Sequence, residues 1–266
     1  MAGASIEEVL DDTRRFFVRE RVLLLPLGFA TFGMATLIAG AAIPVPVPKS
    51  PTAGPPPGPW MIALVPMLLL ALVGYLSISR MVLRSRISVA EALGDAVRLM
   101  PRAIGLSLTV FVILLAINVV ASMIAGLAGS ALGMNPQAML ILALAMVLPP
   151  SIVVTARLTL MPPVLADRES SIRQTLVDVI ALTRGHVLKI VALLIAQAIF
   201  YVLIAAVIEA ALGSLLILLT RAAGVAMLAP IVVNVLLAAF NAVYGCFWTV
   251  LFASFYARLR GGTNGI

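Results

Sequence analysis

The stretch VLKIVALLIAQAIFYVLIAAVIEAAL, Val187 to Leu212, decides the fold class of this chain. A helix needs about 20 apolar residues to cross a hydrocarbon core about 30 Å thick, and this stretch is longer than that. Its only charged residues are Lys189 near its start and Glu209 near its end. Because a backbone inside lipid must satisfy its own hydrogen bonds, we predict that this stretch is a membrane-spanning helix.

Further apolar stretches of similar length lie on both sides of it, and together they predict six spans. The predicted spans are 22–43, 60–83, 103–127, 138–162, 187–212 and 227–256. The short alternating strands of an outer-membrane barrel are absent. The first span is longer than the apolar core of a signal peptide and follows an acidic leader, so we expect it to be retained. A small-residue patch at Ala39–Ala41 leaves cleavage open as the alternative.

The composition excludes the usual classes of soluble protein. Of the 266 residues, 62% are hydrophobic and 11% are charged, whereas a soluble domain has about 25% charged residues. Soluble enzymes, disordered chains, coiled coils and secreted disulfide scaffolds are therefore all disfavoured. We interpret residues 1–266 as a single membrane domain, because little polar chain remains outside the spans.

The positive charges predict the orientation of the spans. If the spans alternate in direction, 16 of the 18 Lys and Arg residues fall on one side, and only Lys49 and Arg221 fall on the other. The positive-inside rule then places both termini in the cytoplasm. The outer loops would be about 44–59, 128–137 and 213–226. With a net charge of +7, we expect contacts with membrane lipids, including anionic head groups at the cytoplasmic face, and no nucleic-acid partner.

Three segments align without gaps at a spacing of 83 residues and indicate an internal repeat. They are SIEEVLDDTRRFF from Ser5, SVAEALGDAVRLM from Ser88 and SIRQTLVDVIALT from Ser171. Each combines a Ser-x-x-Glu or Ser-x-x-Gln capping box with apolar residues at helical spacing. We predict three pseudo-repeat units, about 5–87, 88–170 and 171–260, each a short amphipathic interfacial helix followed by a transmembrane hairpin. Ordinary helical connectors are the alternative.

Each unit places charged residues at matching positions. The aspartates Asp12, Asp95 and Asp178 align, and each return span ends in a small residue followed by Arg80, Arg157 or Arg258. On a helix, Asp12 and Asp95 would face Arg15 and Arg98 as i,i+3 pairs. At the interface, each return-span arginine would reach lipid head groups or pair with an aspartate of a nearby connecting helix.

Polar residues inside the spans are further candidates for interface or cavity positions. Glu209 would pair with Arg221 or serve an ion or proton role. Gln197, Asn234 and Asn241 would hydrogen-bond between helices or line a polar path. The pair Pro149–Pro150 inside the fourth span suggests a broken helix.

No motif with known chemistry is present. The HExxH, CxxC, P-loop and GxSxG patterns are absent, and the single cysteine, Cys246, and the single histidine, His186, lack partners for a metal site. We read Cys246 as a small buried apolar residue. We therefore expect no catalytic residue, no cofactor and no metal, and an intramembrane enzyme is the least favoured of three hypotheses.

The segment from Arg157 to Leu194 is similar to the membrane domains found beside some glycerophosphodiester phosphodiesterases and to the YciC-like inner-membrane proteins of bacteria. The matching positions are Arg157, Pro162, Val164, Asp167, Leu176, Thr183, Arg184 and Gly185. The ending Ser254–Gly262 also resembles that group. The resemblance implies an integral protein of the bacterial inner membrane and does not imply hydrolysis.

The sequence leaves two functions open. We expect a non-enzymatic scaffold or accessory subunit that assists transport or envelope assembly beside another membrane protein, because the ordered polar features lie at the predicted cytoplasmic interface. The alternative is a small transporter or lipid-handling protein with a cavity between the repeat units, motivated by Gln197, Glu209, Asn234 and Asn241.

Overall fold

The computed structural model describes residues 5–42, 58–84, 87–168, 171–225 and 228–263, and helices dominate these ranges. Six described helical segments are long and apolar enough to cross a membrane, which confirms the all-α fold class and makes the chain a multi-pass membrane protein. The segments are Ile6–Ala42, Pro59–Leu83, Val89–Ala131, Gln137–Asp167, Val187–Ala222 and Leu228–Gly261.

The helices include two short π-helical segments and one 3₁₀ turn. The π segments are Phe29–Gly33, between α1 and α2, and Val207–Leu212, between α8 and α9; the 3₁₀ turn Pro59–Ala63 leads into α3. The α-helices are α1 Ile6–Gly28, α2 Met34–Ala42, α3 Leu64–Leu83, α4 Val89–Ala131, α5 Pro136–Leu158, α6 Met161–Asp167, α7 Ile172–Thr183, α8 Val187–Ala206, α9 Gly213–Ala222 and α10 Leu228–Thr263.

Only one of the three predicted short helices is a separate element. α7 ends at Thr183, and Gly185 follows with φ +78°, a left-handed conformation that stops a helix. At the equivalent positions, 83 and 166 residues earlier, the chain has Arg102 and Arg19. Because an L side chain strongly disfavours the left-handed conformation, α4 and α1 continue without a break into their spans. The prediction of separate helices was wrong for the first two segments.

The capping boxes also differ among the three segments. Ser88 has the complete box: its Oγ accepts from the Glu91 N–H at 3.2 Å, and its own N–H donates to Glu91 Oε2 at 2.9 Å. Ser171 Oγ accepts from the Gln174 N–H, but the Gln174 side chain donates to Asp178 instead. Ser5 makes no side-chain capping hydrogen bond.

Two predictions about chain breaks were wrong. α5 runs through Pro149 and Pro150 to Leu158, because a proline removes a backbone donor but its fixed φ is itself helical. The predicted outer loop 213–226 is largely helical, since α9 extends to Ala222 and the turn follows at Gly224, φ +74°. Most of the predicted outer loop 44–59 lies outside the described residues.

The tightest packing surrounds α10. A Cβ at Gly28 of α1 would meet Cys246 Sγ and approach the Ala242 carbonyl oxygen to 2.8 Å, and a Cβ at Gly245 would overlap the Phe32 ring. Cys246 is fully buried and its thiol donates to the Leu24 carbonyl at 3.3 Å, in agreement with its reading as a small buried residue. These close approaches fix the helices that frame the site described next.

Candidate functional site: a polar cavity between the spans

A cavity of about 290 Å³ lies between α3, the start of α6, α8 and α10. Its lining residues come from all three predicted units: Tyr75 and Ser79 from the first, the segment around Pro162 and Pro163 from the second, and Gln197 with much of α10 from the third. The cavity therefore lies where four separate parts of the chain meet.

Three buried polar atoms of the cavity lining have no hydrogen-bond partner among the residues that the structure describes. They are Ser79 Oγ, Gln197 Oε1 and Trp248 Nε1. Ser79 is fully buried and Trp248 is 9% exposed, so neither residue belongs to the lipid-facing surface. More than 90% of buried polar groups in proteins have a partner, so three unpartnered groups around one cavity mark it as a candidate binding site.

The neighbouring polar groups are already bonded. On α3, Ser77 Oγ donates to the Val73 carbonyl at 2.7 Å. On α10, Thr249 Oγ1 donates to the Gly245 carbonyl at 2.6 Å. The Tyr244 hydroxyl donates to the Gln197 backbone carbonyl at 3.0 Å, which joins α10 to α8 beside the Gln197 side chain. The bonded hydroxyls of Ser77, Tyr244 and Thr249 therefore contrast with the unbonded hydroxyl of Ser79.

A ridge of aromatic rings on α10 includes three residues of the cavity wall, Tyr244, Trp248 and Phe252. Phe240, Tyr244, Trp248 and Phe252 follow one another every four residues, and successive ring centroids are 5.4, 5.9 and 6.1 Å apart. Residues four apart lie on one face of a helix, so this spacing orients Trp248 toward the cavity. The same spacing is visible in the sequence, and it is the signal from which the α10 wall could have been predicted.

The chemistry of the lining is uncharged. Its residues include no Asp, Glu, Lys, Arg or His. The unpartnered groups comprise one N–H donor on Trp248, one amide acceptor on Gln197 and a hydroxyl on Ser79 that can do both. This set suits a neutral group that has both donors and acceptors, such as a hydroxyl.

The predicted span residues do not converge on this cavity. Of the four, Gln197 lines it. Asn234 packs against Gly40, and its side-chain amide donates to the Leu37 carbonyl at 3.5 Å. Asn241 is half-buried on α10 away from the lining. Glu209 is exposed within its π segment. The unpartnered polar groups of the cavity thus belong to Ser79, Gln197 and Trp248, and only Gln197 is among the four residues expected.

The expected pair between Glu209 and Arg221 does not form. Both side chains are exposed, and no ion pair connects them. The intervening segment 213–222 is helical rather than a loop. Since Arg221 is twelve residues and more than three helical turns beyond Glu209, the axial separation is too large for direct contact.

The three aligned aspartates each form an ion pair with an arginine. Asp12 binds Arg258 at 2.6 Å, and Glu8 binds the same guanidinium. Asp95 lies 3.5 Å from Arg80 and 3.6 Å from Arg84. These pairs join the start of α1 to the end of α10 and the start of α4 to the end of α3, in agreement with the expected link between return-span arginines and aspartates.

The expected i,i+3 partners were wrong. The ion pairs of Asp12 and Asp95 reach other helices rather than Arg15 and Arg98. Charges on packed neighbouring helices meet the aspartates more closely than the next turn of the same helix does. Arginines on other elements therefore replace the local pairs.

The third aspartate departs from the pattern. Asp178 binds Arg168 at 3.4 Å and accepts from the Gln174 amide, whereas Arg157 keeps a buried Nε without a hydrogen-bond partner in the described chain. Arg168, eleven residues further along, takes the place that the alignment assigns to Arg157.

A separate acidic centre fixes the end of α10. Asp167 accepts from the Tyr256 hydroxyl at 2.7 Å and binds Arg260 at 2.5 Å. Together with the aspartate pairs, these contacts tie the ends of the spans together. We interpret them as structural, since each carboxylate is bound by an arginine or a hydroxyl of the same chain.

Within the described ranges, no cluster of three or more His, Cys, Asp and Glu side chains is placed to hold a metal ion. No family model, curated protein or solved structure matches this chain. The resemblance to the membrane domains of glycerophosphodiester phosphodiesterases and to YciC-like proteins stays a prediction.

Proposed function

We propose that the protein is a small transporter or lipid-handling protein that binds an uncharged polar group in the cavity between its spans. The observation that carries this proposal is the set of three unpartnered buried polar atoms, on Ser79, Gln197 and Trp248, around one cavity. This observation favours the transporter or lipid-handling function over the scaffold, although only Gln197 is among the residues from which the sequence suggested that function.

The energetic argument rests on the cost of unpaired groups. Each buried polar group without a partner costs about 1–3 kcal/mol, and lipid around the helices offers no hydrogen bonds in place of water. A ligand hydroxyl that donates to Gln197 Oε1 and accepts from Trp248 Nε1 would satisfy two of the three groups. Binding would therefore recover a free energy that the empty cavity loses.

The cavity contains its own optical reporter. The chain has two tryptophans, Trp60 and Trp248, so a Trp60→Phe variant retains only the one that lines the cavity. We would titrate this variant in lipid nanodiscs with monobutyrin, an uncharged hydroxyl-bearing ester, and with butyrate as the charged comparison. We expect a saturable change of Trp248 emission with monobutyrin and none with butyrate.

Two further variants decide what the signal means. Gln197→Leu in the Trp60→Phe background should weaken monobutyrin binding at least tenfold. Asn118→Leu is the matched control, because Asn118 lies on the exposed face of α4 and its amide donates to the Leu114 carbonyl of its own helix. An unsaturable signal, or equal binding by the Gln197→Leu variant, would show that the cavity holds only water and would overturn the proposal.

A second candidate is the membrane scaffold or accessory subunit expected from the sequence. The fourth span supports it, because none of the residues in the most apolar window of Gln137–Asp167 is buried within the chain. A whole face is thus free to contact lipid or another membrane protein. Photo-crosslinkers at Leu144 and Leu148, both exposed on α5, would capture a discrete partner in native membranes if this role is real and only lipid if it is not.

We also propose a bacterial inner-membrane location with both termini cytoplasmic, supported by the charge asymmetry of the predicted loops. Thiol labelling tests it. In a Cys246→Ala background, Ser5→Cys, Ser88→Cys and Ser171→Cys should all react only from the cytoplasmic side. Labelling of any one of them from the opposite side would contradict both the topology and the three-unit repeat.

A further inference from the structure

An apolar groove adjoins the polar cavity. It has a volume of about 640 Å³ and is lined by α8, α10 and Phe17 of α1. On α8 the lining runs from Ala196 to Ile204, and on α10 from Phe240 to Trp248. Eight residues of helix correspond to about 12 Å, so the groove follows less than half of the about 30 Å hydrocarbon core.

The groove and the cavity share a wall. Tyr244 and Trp248 line both of them. Tyr244 is held in place by its hydrogen bond to the Gln197 backbone carbonyl and by its ring contact with Trp248 at 5.9 Å. A molecule whose polar end occupies the cavity would therefore pass these two rings to reach the groove.

The two compartments differ in chemistry in the way that the two ends of an amphiphile do. The cavity lining supplies unpartnered hydrogen-bonding groups and no charge, whereas the groove lining is aromatic and aliphatic apart from the Tyr244 hydroxyl and the Trp248 indole at the junction. A charged head group would enter the cavity without a counter-charge, which costs several kcal/mol in a medium of low dielectric constant.

We propose that the ligand is an uncharged, hydroxyl-bearing amphiphile with one alkyl chain, such as a monoacylglycerol, whose head occupies the cavity while the first part of its chain lies in the groove. This inference rests on the proposed function and adds the class of ligand. The head supplies the affinity, because moving an alkyl chain from lipid into an apolar groove gains no hydrophobic free energy. The groove supplies orientation and selects a single chain.

Photo-crosslinking locates the chain. A monooleoylglycerol analogue with a diazirine in the middle of its chain would be added to the protein in nanodiscs, irradiated, and its adducts mapped by mass spectrometry. We expect adducts on groove residues such as Phe200, Phe240 and Phe247 that unlabelled monooleoylglycerol removes. Oleate and a lysophospholipid, both charged, should not compete, and competition by either would overturn the uncharged head.

A variant that fills the groove provides the matched comparison. Ala196→Trp should reduce the groove adducts at least fivefold, whereas Ala145→Trp, on the exposed face of α5 away from the groove, should leave them unchanged. Adducts on Phe111 and Val112, exposed on α4, report ordinary surrounding lipid.

The two proposals fail in different ways. Groove adducts no more frequent than those on α4, together with saturable monobutyrin binding at Trp248, would overturn the amphiphile and leave the cavity as a site for small polar solutes. If monobutyrin gives no saturable signal with the Trp60→Phe protein, the proposed function itself is overturned.

Discussion

The spans near the two ends of the chain are packed very differently from those in its middle. In the most apolar window of each span, 50% of the residues of Leu228–Gly261 and 39% of those of Ile6–Ala42 are buried, against 0% for Gln137–Asp167 and 11% for Val187–Ala222. Every one of these spans is strongly apolar. Hydropathy alone therefore places a helix in the membrane, whereas close packing also requires small residues that let two backbones approach.

Glycine contacts account for the tightly packed group, which consists of α1, α3, α10 and the π segment Phe29–Gly33. A Cβ at Gly74 of α3 would approach Thr31 Oγ1 to 2.7 Å, and Gly28 and Gly245 receive Cys246 and Phe32 in the same way. Gly126 of α4 shows the opposite, because a Cβ there would meet nothing within 4 Å. Gly28 and Gly126 both lie in apolar stretches of the sequence, but only Gly28 lies at a close contact between helices.

The largest expected effect comes from adding one methyl group to each region. Gly28→Ala should lower the free energy of unfolding by about 3 kcal/mol, at the upper end of overpacking, because the methyl group would overlap Cys246 and a backbone carbonyl. Gly126→Ala should raise it by about 0.5–1 kcal/mol, since alanine is the better helix former and the site is open. Thermal unfolding in detergent measures both, and equal effects would remove the distinction between the two regions.

The ion pairs differ in burial in a way that does not follow this division of the spans, because the more exposed pair joins α1 to α10 and the more buried one joins α3 to α4. The Arg80 side chain is 2% exposed and its partner Asp95 33% exposed, whereas those of Arg258 and Asp12 are 31% and 43% exposed. Asp95→Asn should therefore destabilise by about 2–3 kcal/mol, below the about 3–5 kcal/mol for a fully buried pair because Asp95 is one-third exposed. Asp12→Asn should cost about 0–1 kcal/mol, as exposed pairs do.

Salt provides the second measurement for these pairs. High ionic strength screens exposed charges more than buried ones. The cost of Asp12→Asn should vanish at 1 M salt, while that of Asp95→Asn should persist. Equal salt sensitivity would contradict the assigned difference in burial.

The fold class was predictable because membrane insertion depends on composition, which the sequence displays directly. The interruptions were harder to predict because they depend on single conformations: Gly185 stops a helix where Arg19 and Arg102 do not, and Pro149 and Pro150 leave α5 intact. The return-span arginines were expected to meet aspartates, but the choice of Arg168 over Arg157 for Asp178 depends on packing that no pattern of spacing encodes.

The candidate site was predictable only in part. Gln197 stands out as an amide within an apolar run, so its importance follows from composition. Ser79 and Trp248 do not stand out in the sequence, because serine and tryptophan are common in membrane helices. Their importance lies in the hydrogen-bond partners that they lack in the structure. Neighbouring Ser77 has the same residue type and nearly the same position, and only the structure shows that its hydroxyl is bonded.

That pair of serines on α3 offers a comparison within one helix turn. Ser77→Ala should destabilise by about 1 kcal/mol, since it removes a hydrogen bond to the Val73 carbonyl. Ser79→Ala should be neutral or stabilise the ligand-free protein by about 1 kcal/mol, because it removes a buried hydroxyl without a partner. It should also weaken monobutyrin binding, as expected where a functional group is retained at the expense of stability.

The thermal stabilities of the two variants, measured without ligand, should thus differ in sign. A loss of stability on Ser79→Ala equal to that on Ser77→Ala would indicate that the Ser79 hydroxyl has a partner in the native protein. Only the unpartnered groups of Gln197 and Trp248 would then support a ligand site.

The smallest expected effect concerns how two of the helices begin. Ser88, which begins α4, forms a complete capping box, whereas Ser5, which begins α1, makes no capping bond. Ser88→Ala should lower the free energy of unfolding by about 0.5–1 kcal/mol, and Ser5→Ala should leave it unchanged. Hydrogen exchange at the Glu91 amide, which donates to Ser88 Oγ, should accelerate in Ser88→Ala. The first turns of α1 are held by the buried Val9 and by the pairing of Glu8 and Asp12 with Arg258, so they need no cap. An equal loss of stability in Ser5→Ala would show that these contacts do not replace capping there.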